Sequence, residues 1–170
     1  MTDTTSELIF KGIETAERTG KLDKLEIEFW KGGGLPPPNY KSDQLRLMTT
    51  KGDEVIEFAS LKWDSSFDPP NLQEKWVMPL RPSETREVAR LLLATHTLTA
   101  RYAEENNPGI ADIFSYEILL TAGDRQEKRT YYRTLPKELS PIRDIFDRLI
   151  TLVKSQGKHS LYHQGKEVSR

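Results

Sequence analysis

The apolar residues of this chain change period along its length, and the order of the changes restricts the folds open to it. Leu25, Ile27 and Phe29 alternate with Glu26, Glu28 and Trp30, the two-residue period of a strand with one face buried. Gln44 to Thr50 and Val55 to Lys62 repeat that pattern on either side of Lys51-Gly52-Asp53, a tight-turn signal. Trp63 to Leu72 reads as a loop, and Trp76, Val77 and Met78 make one further short strand before Pro79. The period then lengthens: Val88, Leu91, Leu92, Thr95 and Leu98 share one face of a helix. Ser83 is the expected cap of that helix, and Asn106-Asn107-Pro108-Gly109 should end it near Glu105.

Phe114, Tyr116, Ile118 and Leu120 return to alternation, and Ala122-Gly123-Asp124 turns that strand back into Gln126 to Arg133. A second apolar stripe follows at Ile142, Ile145, Phe146, Leu149, Ile150 and Val153, with Ser140 and Pro141 at its start. Strands grouped by tight turns and separated by helices imply an α+β fold. The expected architecture is an antiparallel sheet of about five to six strands with two main helices packed on one face. Residues 1–20 read as an N-terminal arm or a weak helix interrupted by Gly12. Residues 21–154 form the single domain, and residues 155–170 read as a disordered polar tail.

Composition narrows the function classes. A chain of 170 residues is one domain's length, and folding at this size buries roughly 70% of the unfolded surface, enough for a core without staples. Cysteine is absent, which removes disulfides and thiolate metal sites and favours a reducing, cytoplasmic compartment. No stretch is apolar and long enough for a membrane span, and residues 1–20 lack the apolar core of a secretory signal. Twenty-five basic residues against 26 acidic ones leave a net charge of −1, unlike the strongly basic balance of a dedicated nucleic-acid binder.

The chemical inventory is thin. His96 falls within the expected central helix, and His159 and His163 are spaced for a helical zinc pair but lie in the polar tail without an acidic partner motif. There is no nucleophile elbow, phosphate loop or dinucleotide fingerprint. Glu26 and Glu28 fall on one strand face and read as a solvated acidic stripe, and Asp112 reads as a strand-entry residue. No catalytic residue, cofactor or metal site is therefore expected.

Two segments suit binding. From Trp30 to Tyr40 an aromatic residue stands at either end of Gly32, Gly33, Gly34, Leu35, Pro36, Pro37, Pro38 and Asn39. Glycines loosen the first half of this loop and prolines stiffen the second, toward the polyproline II form that partner proteins read. Trp30, Gly32, Gly33, Gly34, Leu35, Pro36 and Tyr40 are the candidate partner-binding residues. The second segment is the basic hairpin 125–137, where Arg125, Lys128, Arg129, Arg133 and Lys137 interleave with Tyr131 and Tyr132. It offers phosphate contacts and stacking to nucleic acid, or an edge guarded against aggregation.

Three segments together resemble a known family. They are Leu25 to Gly34 (LEIEFWKGGG), Asp112 to Ile118 (DIFSYEI) and Leu135 to Ile142 (LPKELSPI). In that order, with a helix before the second, they resemble the emfourins, small protein inhibitors associated with thermolysin-like (M4) zinc proteases such as protealysin. The resemblance covers about Leu25 to Val153. This chain departs from it by an extra segment at roughly Ala59 to Trp76, by its proline-rich loop and by extensions at both ends. The resemblance implies occlusion of a protease cleft without chemistry by this chain, with Leu35 entering an apolar pocket. The expected function is thus a non-enzymatic protein-binding module that inhibits such a protease. A nucleic-acid or phosphate binder using the basic hairpin, and a structural subunit, are the alternatives.

Overall fold

The computed structural model describes residues 4–33, 40–63, 70–99, 115–132, 135–163 and 166–168. The fold is α+β, with an antiparallel sheet and helices on one face. Its strands are β1 (Leu25–Gly33), β2 (Tyr40–Thr50), β3 (Asp53–Trp63), β4 (Asn71–Pro79), β5 (Ser115–Ala122), β6 (Arg125–Tyr132), β7 (Lys158–His163) and β8 (Lys166–Glu167). The helices are α1 (Thr4–Thr19), α2 (Pro82–Ala94) and α3 (Ser140–Gln156). The eight strands lie in the order β6-β5-β1-β2-β3-β4-β7-β8. The strand and helix counts thus exceed the five to six and two that periodicity predicts.

The first four strands form a meander of consecutive hairpins. At the β2–β3 turn both central residues have positive φ, Lys51 at 52° and Gly52 at 84°, the left-handed pair whose twist suits a two-residue hairpin. β5 then pairs with the free side of β1, β6 completes that edge, and α3 carries the chain back so that β7 pairs with β4. Alternation puts Ile27, Phe29, Leu45, Leu47, Ile56, Phe58, Ile118 and Leu120 on the helix side, where they join Ile9, Ile13, Val88, Leu92, Phe146 and Leu149 in one buried core. Phe29 and Phe146 stack at its centre, with ring centroids 4.5 Å apart and planes 9° apart.

The departures from expectation have physical reasons. Residues 4–19 form a full helix, because Ile9, Ile13 and Ala16 are completely or almost completely buried. A mid-helix glycine costs about 1 kcal/mol relative to alanine, whereas burying each isoleucine side chain returns roughly 1.5–3 kcal/mol. α2 begins at Pro82 rather than at a Ser83 cap: the Glu84 carboxylate accepts the backbone N–H of Arg81 at 2.9 Å. It ends at Ala94, well short of Glu105. There the Thr95 hydroxyl donates to the Leu91 carbonyl (2.8 Å) and shares a 2.8 Å hydrogen bond with Thr97, the local bonding that competes with helix propagation. His96 follows the helix at φ 52° instead of lying within it.

β4 begins at Asn71, so it is longer than the expected Trp76 to Met78 strand and takes in the last two residues of the expected loop, and β7 and β8 occupy the expected tail. In β7, His159 stacks on Trp76 of β4 at 4.3 Å, and the Lys154 ammonium sits 5.2 Å from the same indole. A strand this polar has no alternating apolar signature; its partner on β4 holds it. Among the described residues, no helix is long and apolar enough to cross a membrane.

Candidate functional site on the helix-free face of the sheet

The same alternation that buries one set of side chains aims the other set away from the helices. Cross-strand register then decides which of them meet. Glu28 lies opposite Arg46, and Arg46 opposite Glu57. One step along, Trp30 lies between Gln44 of β2 and Glu117 of β5, and Gly32 between Ser42 and Ser115.

Arg46 is the hub of an ion-pair cluster. Its guanidinium lies 2.7 Å from Glu26, 2.9 Å from Glu28 and 3.8 Å from Glu57. Glu28 is only 8% exposed, its carboxylate also accepts a 3.1 Å hydrogen bond from the Gln44 amide, and the nearby Trp30 indole N–H favours its charged form. Burial pushes the Glu28 carboxyl above its ordinary 4.5; Arg46 opposes the shift and Glu26 adds to it. The expectation of a solvated acidic stripe is therefore corrected for Glu28. The pairing of β1 with β2 sets it beside a guanidinium, so its charge is taken up inside the sheet. Arg46 is held above its usual value because its contacts with Glu26, Glu28 and Glu57 outweigh its burial. Chemically the cluster is a brace between three strands, and its hydrogen-bonding groups are turned on one another.

Beside the brace lies a cleft of about 290 Å³ lined by Trp30, Gly32, Ser42, Trp63, Ser115 and Glu117. The Trp30 indole N–H lies beside Glu28, and that of Trp63 donates to the Ser42 hydroxyl at 3.5 Å. The tryptophans thus bring carbon surface to the cleft, and the polar groups come from the serines and Glu117. Gly32 keeps its floor open. A Cβ there would lie 2.7 Å from that of Ser42 and 3.0 Å from the Lys41 carbonyl oxygen.

Of the residues singled out by sequence, Trp30, Gly32 and Gly33 belong to β1 and Tyr40 opens β2. Gly34, Leu35 and Pro36 lie outside the described residues, as do Asp112, Phe114 and Arg133. Gly32 is not part of a permissive bend, as the sequence suggests, but a paired strand residue under close approach from β2. Tyr40 is aligned with Trp63 across the β2–β3 hairpin, and Trp63 is the second aromatic wall. Ser42, Trp63, Ser115 and Glu117 escape sequence reasoning, since each is an ordinary residue until register sets it beside Trp30. The shared parity of Trp30 with Glu26 and Glu28 is the one signal that points to this face.

Among its described residues, the basic hairpin does not form a continuous patch. β6 is an edge strand, and its alternation sends Lys128 to the helix-free face, where it pairs with Glu117 at 3.5 Å. Arg129 goes to the other face, where it pairs with Glu127 at 2.9 Å and donates to the Leu98 carbonyl. His159 and His163 sit on a strand rather than a helix, and among the described residues no cluster of His, Asp and Glu is arranged to hold a metal ion. The sequence matches no protein-family model, and no curated protein matches it either. Function has to be read from the chemistry of the site.

Proposed function

We propose that the chain is a protein-binding module without catalytic activity, and that it inhibits a thermolysin-like zinc protease by occluding its cleft. The observation that carries the binding reading is the cleft between Trp30 and Trp63. It is a small aromatic-walled recess on rigid strands, set against a brace of ion pairs that holds its walls in place. Tryptophan is enriched among residues that dominate protein interfaces, and anchors on rigid elements lose little entropy on binding. The brace argues against acid–base chemistry, because Glu28 already accepts from Gln44 and Arg46. The choice of partner rests on the resemblance of LEIEFWKGGG, DIFSYEI and LPKELSPI to the emfourins. In this reading Leu35 and the prolines after it approach the protease from the β1–β2 connection. The lack of cysteine supports a reducing, cytoplasmic setting for the protein itself.

Titrating the purified chain into a thermolysin-like protease with a short peptide substrate tests this. Hydrolysis should fall toward zero near equivalence, and Trp30→Ala should weaken inhibition by about tenfold or more, the loss expected for an interface anchor. Undiminished hydrolysis at a large excess of the chain would reject the inhibitor reading.

A further inference from the structure

We propose, building on the protein-binding reading, that the Trp30–Trp63 cleft is a socket for one cationic side chain of the partner, arginine in preference to lysine. Three observations converge on this. First, the volume of about 290 Å³ falls at the lower edge of small-molecule sites, which span roughly 300–1,000 Å³; it suits a single side chain better than a metabolite. Second, the walls are two indoles whose N–H groups have partners beside them within the sheet, Glu28 for Trp30 and the Ser42 hydroxyl for Trp63. Indole is the best aromatic partner for a cation, and the Glu28 carboxylate beside Trp30 adds to the negative potential there.

Third, Glu117 is the one charged residue among the described lining residues. An anion would meet Glu117 with Glu28 close behind. An apolar side chain would cover the Glu117 carboxylate and the Ser42 and Ser115 hydroxyls without bonding them, which is unfavourable. A guanidinium satisfies both constraints, because it stacks on the indole and donates to carboxylate and hydroxyls from the same plane. Glu117 already has a cation, Lys128, at 3.5 Å, but that side chain is 55% exposed. Exposed pairs of this kind contribute little, so Lys128 can swing into solvent when the partner's cation enters.

Following the indole N–H resonances of the full-length chain by NMR provides the test. The probes are N-acetyl-arginine methylamide and its lysine and citrulline counterparts, the last matching arginine in shape without its charge. The arginine probe should shift the Trp30 and Trp63 signals saturably, the lysine probe less, and citrulline not at all. The Trp76 signal, on the opposite face, should stay in place. Glu117→Gln should weaken arginine binding by about fivefold, the size of one exposed charge pair.

Equal shifts with citrulline, unshifted Trp30 and Trp63, or unchanged affinity in Glu117→Gln would overturn the socket. Tighter binding of lysine would overturn the preference for arginine. Protease inhibition with no response to arginine would reject the socket and leave the inhibitor. Arginine binding with no protease inhibition would do the reverse.

Discussion

Two residues of β1 show how a neighbouring strand changes what a side chain means. Gly32 looks in sequence like part of a loosening triplet, yet its lack of a Cβ is what lets β2 pack beside it. Gly32→Ala should therefore destabilise the fold by about 1–3 kcal/mol, the usual cost of overpacking a closed site, read as a lower urea midpoint with unchanged slope. A variant as stable as the parent would mean that β2 can retreat at this point. Glu28 carries a pH signature. Its folded carboxyl lies above the ordinary 4.5, so the folded state takes up a proton before the unfolded state does. That contribution to stability is fully present below 4.5 and is lost as pH rises through the folded value. Relative to Glu28→Gln, the wild type should gain stability as pH falls from neutrality toward 4.5. Urea unfolding across that range checks the sign, and a constant difference between the two proteins would reject it.

At the scale of elements, the two ends of the chain behave alike. α1 has a weakened helical pattern because Gly12 sits in its middle, but Ile9 and Ile13 are buried against the core. Ile13→Ala should cost about 2–5 kcal/mol; a loss far below that, by chemical denaturation, would mean that α1 is only loosely docked. β7 is held by β4: Glu74 to Val77 pair with Lys158 to Leu161, and His159 covers Trp76. A chain ending after Gln156 should lose stability and expose the pairing edge of β4, the kind of edge that seeks another strand. Size-exclusion chromatography should show it associating where the full chain does not. An unchanged elution profile and urea midpoint would mean that β7 contributes nothing to the sheet. Periodicity gave α1 only as a weak helix or an arm, because a glycine breaks the stripe, and missed β7, whose residues are polar on both faces.

Across the whole molecule, one core takes side chains from all three helices and from both halves of the sheet. Loss of any part should propagate, so far-UV circular dichroism and tryptophan fluorescence should report one coincident unfolding transition. Two separated transitions would show that the β5–β6 edge or the α3–β7 segment unfolds by itself. Period and turn chemistry were enough to place β1, β2, β3, β5, β6 and α3 nearly where they lie, and to put Trp30 on the same face as Glu26 and Glu28. They also gave the fold class, since short-range alternation and stripes are properties of neighbouring residues. The seventh and eighth strands, the early stop of α2, the Arg46 brace and the walls of the cleft were decided only by tertiary structure. Alternation settles which face of its own strand a side chain takes. Which strand lies alongside, and in what register, depends on pairings between residues far apart in the chain, and those pairings bring Trp30, Trp63 and Glu117 to one place.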